Sequence, residues 1–295
     1  MVLAAIDIGS NAVRMLIVDA VKLGDGSVDY RKLNFLRVPV RLGIDVFSAG
    51  NINQERIDIL VDTIKAFQLL MKIYSVEHFK ACATSAMRES KNGSEVCDII
   101  KAATGVDIQI VSGSAEAEII YETNIAENLS RNRPYLYIDV GGGSTELLLF
   151  SKGQVQWKTS FDIGTIRMLN GTVTEAQKED FKQFIKSSTN ELEGLLAIGS
   201  GGNINKIRSM SRIKDKNPLL LALLKKLQKE LIRYSVEERM HLYQMRRDRA
   251  DVIVPALQIY TAVMRWARIK EIYAPKVGLV DGLVSMLFTE HCIDQ

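Results

Sequence analysis

Two short turns carry most of the residues in this chain that could do chemistry. One runs Asp7-Ile8-Gly9-Ser10-Asn11, and the other runs Asp139-Val140-Gly141-Gly142-Gly143-Ser144-Thr145. A Gly- and Ser-rich turn after a buried strand exposes successive backbone N–H groups, which suit phosphate oxygens. Gly141, Gly142 and Gly143 allow close approach because no Cβ intervenes, and Ser144 and Thr145 add hydroxyl donors. Ser10 and the side-chain amide of Asn11 take that part in the first turn. Asp7 and Asp139 each end the strand before their turn, where a hard cation bridging phosphate oxygens needs a carboxylate. Glu146, just after the second turn, is a further candidate for holding metal-bound water. An Asp so placed can equally cap its own turn, and the residues alone leave both uses open.

Several chemistries are excluded. No G-x-x-x-x-G-K-[ST] segment occurs, so neither turn is a P-loop. Each turn is followed by a strand rather than a helix, which rules out a dinucleotide-binding unit. No G-x-S-x-G nucleophile motif is present, and His78, His241 and His291 stand in no motif. A carboxylate is left as the group to position or deprotonate water. The segment SGSAEAEIIYE supplies three: Glu116, Glu118 and Glu122. Ser112 or Ser114 can cap a helix whose first turn holds Glu116, which is either a general base or a complement to the helix dipole. Arg88, in ATSAMRESKN, can make charge-assisted bonds to phosphate or a plain surface ion pair.

The elements that must position these residues repeat. AAIDIG, a polar turn, AVRMLIVDAV, a Gly-Asp-Gly turn and VDYRKLNFLRVPV form a strand–turn–strand–turn–strand meander. From residue 135 the same order returns as YLYIDV, GGGST, ELLLF, SKGQ and VQWKTSFDIG. Asp7 and Asp139 lie 132 positions apart, close to half of the 295 residues, and duplication is the economical explanation. Two similar domains would then form one cleft, with the turns converging from opposite sides. Between the meanders, Ile57, Leu60, Val61, Ile64, Phe67 and Met71 share one helical face, with Asn53 as N-cap. Strands are expected over 78–84 and 106–111 with a helix near 94–103 between them. LLAIGSGG (195–202) repeats the strand-into-glycine pattern, and helices are expected within 217–247, over 251–268 and over 279–290. The fold class is α/β with mixed sheets flanked by helices.

Composition sets the outer limits. With 47% hydrophobic and 25% charged residues the chain can build its core without disulfides or structural metal. Cys82, Cys97 and Cys292 are far apart and make no C-x-x-C pair, as in a reduced cytoplasmic protein. The apolar start is cut by Asp7 and Arg14 and lacks a basic lead, so it reads as neither a signal peptide nor a membrane span. A net charge of +3 does not argue for nucleic acid. Residues 206–249, however, hold 13 Lys and Arg against 5 Asp and Glu, either as solvated helix faces or as a basic wall for a polyanion.

Taken together, these segments resemble the exopolyphosphatase/guanosine pentaphosphate phosphatase family. AAIDIGSNAVRMLIV resembles its first phosphate motif and YLYIDVGGGSTELLLF its second, while ATSAMRESKN resembles the segment with a polyphosphate-binding arginine, here Arg88. FDIGTIRM, AIGSGGNINKI and RADVIVPA (Arg249 to Ala256) resemble further blocks in the right order over nearly the whole chain. The resemblance implies duplicated actin-like, ribonuclease H-like domains with an interdomain cleft: 1–122, completed by a C-terminal helix 283–295, and 123–282. It also implies Glu116 as catalytic base, and Asp139 with Glu146 and Asp7 as ligands of Mg²⁺. Ser10, Asn11, Arg88 and residues 141–145 would bind substrate. The implied activity is release of terminal orthophosphate from inorganic polyphosphate, or removal of the terminal phosphate of guanosine pentaphosphate. A cytoplasmic homodimer with no membrane or nucleic-acid partner is the accompanying expectation.

Three departures stand out. The usual Gly-x-Glu-Glu-Ala is Gly113-Ser114-Ala115-Glu116-Ala117, which keeps the second Glu and loses the first. The usual Gly-Leu-Arg-Glu-Gly is Gly278-Leu279-Val280-Asp281-Gly282, which removes a positive group, and Ala256 replaces a usual Gly. Long members continue into a further helical domain, and this chain, ending at Gln295, resembles the short two-domain form. Two rivals remain. One is an actin-like sugar kinase, with Gly199–Asn203 where such proteins hold adenosine, and the other a weakly catalytic sensor of polyphosphate or an alarmone.

Overall fold

The computed structural model describes residues 1–121, 133–214 and 217–292. The chain divides into two compact units, Met1–Thr123 with Leu279–Gln295, and Asn124–Gly278. The expected boundary at residues 122 and 123, the third candidate carboxylate Glu122, and the last three residues of the expected closing helix lie outside the described residues.

The first unit opens with β1 (Val2–Ile8), β2 (Val13–Lys22) and β3 (Val28–Val38). It continues through α1 (Leu42–Ala49), α2 (Gln54–Ile73), β4 (His78–Ala83), α3 (Ser85–Glu89), α4 (Gly93–Thr104), β5 (Gln109–Ile110) and α5 (Gly113–Tyr121). The second contains β6 (Tyr135–Val140), β7 (Thr145–Ser151), β8 (Gln154–Phe161), α6 (Thr165–Leu169), α7 (Glu175–Thr189), β9 (Leu196–Ser200) and α8 (Gly201–Ser211). It then adds β10 (Leu219–Leu220), α9 (Leu221–Ile232), α10 (Val236–Leu242), α11 (Arg247–Ala250), α12 (Ile253–Trp266) and β11 (Glu271–Tyr273). A last helix, α13 (Leu279–Cys292), belongs with the first unit.

Each sheet is an antiparallel meander extended by parallel strands, in the orders β3-β2-β1-β4-β5 and β10-β11-β9-β6-β7-β8. β1 runs antiparallel to β2 and parallel to β4, as β6 does to β7 and β9. This is the duplicated actin-like α/β fold, with β1 to β4 matching β6 to β9 in order and direction. β1 reads as a continuous apolar run because helices cover both of its faces, and Leu3 to Ile8 are all buried. In the first unit Leu3, Ala5, Leu16 and Val18 meet Leu283, Val284 and Leu287 of α13. In the second, Leu136 and Ile138 share a core with Phe181 and Ile185 of α7 and Leu257 and Tyr260 of α12.

The local signals behave as their chemistry requires. Asn53 caps α2 by accepting the Arg56 N–H (2.9 Å), and Ile57, Leu60, Ile64, Phe67 and Met71 are buried, with Val61 at the edge of the stripe. The strand expected over 106–111 shrinks to Gln109–Ile110, because it meets only the last two residues of β4. The helical stretch expected within 217–247 breaks at Arg233–Ser235, where Ser235 and Glu238 form a capping box that starts α10.

Candidate functional site

In the first unit the turn between β1 and β2 is closed by the Gly9 N–H donating to the Ala12 carbonyl (3.1 Å). Ser10 and Asn11 are buried, and the Ser10 carbonyl accepts the N–H of Gly43 at the start of α1 (2.8 Å). Ser10 Oγ lies 2.8 Å from Ser85 Oγ, which ties the turn to the β4–α3 junction. That junction runs on into α3, where Arg88 donates from Nη1 to the Val111 carbonyl (2.7 Å).

Val111 precedes the helix that carries Glu116. Ser112 caps this helix: its Oγ accepts the Ala115 N–H (3.2 Å) and its carbonyl accepts the Glu116 N–H (2.9 Å). Glu116 is thereby fixed in the opening turn of α5, half-buried. Cys82 is the residue paired directly with Asp7 on the neighbouring strand β4. Burial pushes its thiol up to about 11, and the negative charges of Asp7 and Glu116 act in the same direction. Ser10, Asn11, Arg88, Asp7 and Glu116 thus share one unit, and Ser10 and Arg88 are linked through the β4–α3 segment to the strand end and the helix start.

Asp7, expected as a metal ligand, has an ionic partner of its own. Its cross-strand neighbour is Arg14, whose guanidinium is ion-paired with the carboxylate. Burial raises the Asp7 pKa, while the charge and hydrogen bond of Arg14 act against that rise. Behind Arg14, the directly opposed residue on β3 is Arg37.

The second unit repeats the turn with other side chains. The Gly141 N–H donates to the Ser144 carbonyl (2.9 Å), and the Gly142 carbonyl accepts the Ile166 N–H at the start of α6 (2.8 Å). Ser144 and Thr145 are buried, and Thr145 Oγ1 donates to the Ile163 carbonyl. Asp139 stands opposite Glu146 in the β6–β7 ladder. Directly opposed residues project from the same face, so two carboxylates face one side of this turn. Ser160, opposite Glu146 on β8, donates from Oγ to Glu146 Oε1 (3.0 Å). Among the described residues no group of three or more His, Cys, Asp or Glu is gathered to hold a metal. Mg²⁺ needs only one or two carboxylates beside water and phosphate oxygens, and the Asp139–Glu146 pair fits that requirement.

Three residues to which the sequence assigned no part in phosphate binding join these turns. Asn203 is buried in the first turn of α8, donates from Nδ2 to the Val140 carbonyl (2.7 Å), and accepts from Arg249 through Oδ1. A side chain at Gly201 would run into Asp139 Oδ1 (2.6 Å) and one at Gly202 into Arg249 (2.7 Å), so both charged groups lie against the glycines that open α8. Arg249 opens the segment RADVIVPA, yet nothing in its spacing marks it. Ser85 and Asn203 could have been found from the repeat, since each comes three residues after the partner of the strand-end Asp (Cys82 for Asp7, Ser200 for Asp139).

The departures near the C-terminus are packing features. Val280 is buried in the first core, and Asp281 accepts from Lys32 Nζ (2.6 Å). Gly282 lies against α5: a Cβ there would fall 1.9 Å from the Ile119 carbonyl oxygen.

A model of the Ppx/GppA phosphatase family matches residues 24–291. A curated relative from Aliivibrio fischeri, named guanosine-5'-triphosphate,3'-diphosphate pyrophosphatase, is 25% identical over 293 residues, covering 95% of this chain and 58% of the relative. The chain therefore spans less than two thirds of that protein's length. Among solved structures, an exopolyphosphatase from Cytophaga hutchinsonii superposes with a TM-score of 0.82 at 25% identity, over 98% of each chain. A Ppx/GppA family member from Aquifex aeolicus gives 0.75 at 25% identity, over 99% of each.

Proposed function

The chain belongs to the Ppx/GppA phosphatase family, and we propose that it releases terminal orthophosphate from inorganic polyphosphate by attack of water. The observation that carries this reading is the bond from Arg88 to the Val111 carbonyl, which fastens a candidate phosphate-binding arginine to the entrance of the helix holding Glu116. A kinase and a hydrolase both need such a carboxylate, and the match to a phosphatase family favours water as the acceptor.

In the proposed reaction the water oxygen bonds to the terminal phosphorus as the bridging P–O bond breaks in line. Glu116 accepts the proton of the water, and the shortened chain leaves with the electron pair of the broken bond. The N–H groups of Gly142, Gly143 and Ser144, those of Ser10 and Asn11, and the guanidinium of Arg88 donate to the phosphoryl oxygens, where charge builds. Phosphatases of this family generally depend on a divalent metal; here Asp139 and Glu146 are the proposed holders of Mg²⁺. Held there, such a cation would supply neutralisation of the charge on the phosphate. Asp7, in this reading, serves the site by anchoring Arg14.

A second substrate is favoured by the names of the curated relatives, which point to guanosine pentaphosphate. No helix among the described residues is long and apolar enough to cross a membrane. The three free cysteines support a reducing, cytoplasmic setting, and a homodimer follows from the family resemblance alone.

The test is phosphate release from polyphosphate, guanosine pentaphosphate and ATP with Mg²⁺. Polyphosphate is expected to be turned over fastest, with a loss of at least about 10²-fold in a folded Glu116→Gln protein. Near-wild-type turnover by that variant, or phosphate transfer to a sugar without hydrolysis, overturns the reading.

A further inference from the structure

The second unit carries a groove of about 860 Å³ between α9 and α12 that holds none of the turn residues. Its α9 wall presents Lys225, Lys226, Lys229 and Arg233, and its α12 wall presents Gln258, Thr261 and Arg265. The spacing 258, 261, 262, 265 is one helical face. Tyr260 lies on the opposite face of α12, buried, with its hydroxyl donating to the Ser200 carbonyl beside the Asp139 strand (3.2 Å). One helix therefore backs the carboxylate turn and lines the groove with different residues.

The charge in this groove is one-sided. Its single acidic residue, Glu230, already accepts from the Tyr243 hydroxyl. Among the described residues Lys225, Lys226, Lys229 and Arg233 enter no ion pair, whereas elsewhere Lys32, Lys80, Lys101, Lys178 and Lys182 each face a carboxylate. Of the other cations in the 206–249 segment, Arg208, Arg239 and Lys206 donate to backbone carbonyls, and Arg246 and Arg247 pair with Asp248 and Glu237. Past Arg265 a second depression, about 550 Å³, adds Lys182, Lys186 and Arg268.

We propose that the α9–α12 groove is a second, non-catalytic binding site for linear phosphate chains. The lining selects among polyanions. It holds no aromatic side chain on which a nucleobase could stack, which disfavours single-stranded nucleic acid. Its apolar members are only Ala222 and Ala262, too small to form the anchor pocket that a protein partner requires. Bare charge with the amide groups of Gln228 and Gln258 suits a ligand that is all phosphoryl oxygen. From Lys225 to Arg233 the wall is about 12 Å long, enough for several phosphoryl groups. Such a site retains long chains and raises their effective concentration at the reacting end, without affecting short ones. The ligand's identity, though not the groove's anion binding, rests on the hydrolase reading.

The test titrates medium-chain polyphosphate, tripolyphosphate and single-stranded RNA onto the full chain. The same titration is made on a variant carrying Lys225→Glu, Lys226→Glu, Lys229→Glu and Arg233→Glu, with four Gln substitutions as the milder version if that protein does not fold. Expected is a loss of about tenfold or more in polyphosphate affinity, with tripolyphosphate binding and turnover unchanged. Unchanged polyphosphate affinity in a folded variant overturns the proposal, as does wild-type RNA binding tighter than polyphosphate binding. Groove-dependent polyphosphate binding without phosphate release sinks the hydrolase reading and leaves this one standing.

Discussion

The two turns share one backbone and carry opposite charge. Adding 132 to Asp7, Gly9, Ala12 and Arg14 gives Asp139, Gly141, Ser144 and Glu146, and the closing hydrogen bonds from Gly9 and Gly141 are equivalent. The row behind the first Asp runs Asp7, Arg14, Arg37 across β1, β2 and β3. The row behind the second runs Asp139, Glu146, Ser160 across β6, β7 and β8. In the proposed reaction a cationic row would help to hold phosphate, and an acidic row the cation that accompanies it. Duplication kept the frame, and two cross-strand positions divided the work.

The most severe way to break this comparison is to make the second row resemble the first. Glu146→Arg places a guanidinium opposite Asp139 and is expected to cut Mg²⁺-dependent phosphate release by about 10³-fold with the fold intact. A Mg²⁺ titration of activity checks it. Turnover within a few-fold of wild type would mean that the acidic row holds no metal.

The next largest effect concerns how the first unit mounts its base. Gly282 brings α13 against the Ile119 carbonyl, one turn beyond Glu116 on α5. Gly282→Ala forces those backbones apart. A misplacement near 1 Å at a catalytic group costs up to about 10²-fold, so kcat falls while KM for tripolyphosphate holds. An unchanged kcat would show that α5 does not carry the base.

Arg14→Ala breaks the first row. It leaves the buried Asp7 carboxylate without its guanidinium, and since Arg14 is partly exposed the cost is about 2 kcal/mol at neutral pH. Burial holds the folded pKa of Asp7 above its unfolded value. The folded chain therefore keeps a proton that the unfolded chain releases, and stability from this group is lost as pH rises through the folded pKa. Without Arg14 that pKa rises further and the loss extends upward. Urea unfolding is expected to show a deficit that grows from pH 4 to pH 8, and a pH-independent deficit would refute the pairing argument.

Much of this was legible in the sequence, because the glycines, the strand-end Asp residues and the alternating runs are local signals. Both meanders and the α2 stripe follow from them. What could not be read was pairing across distance. The bond from Arg88 to Val111 spans 23 residues and the pair Arg249–Asn203 spans 46, and neither leaves a periodic trace. Asp7 looked like Asp139 because the turn is the same, and only the register shows an arginine opposite one and a glutamate opposite the other. The strand over 106–111 failed for the same kind of reason: Val106 and Ile108 are buried as the pattern requires, but the segment joins β4 only at Gln109–Ile110, opposite Cys82 and Ala83.

The finest test lies at Ser160, which occupies the place that Arg37 holds in the first row. Its hydroxyl donates to Glu146 Oε1 and so turns the carboxylate toward one orientation. Groups that orient a metal ligand typically change metal affinity by 10- to 100-fold when removed, and a single neutral donor belongs at the lower end, about tenfold. Ser160→Ala should therefore raise the Mg²⁺ concentration at half-maximal activity about tenfold while leaving kcat at saturating Mg²⁺ within about threefold. Ser160→Thr, which keeps the hydroxyl, should restore the wild-type requirement. A merely structural serine would lower stability without moving the Mg²⁺ curve, and in that case the acidic row ends at Glu146.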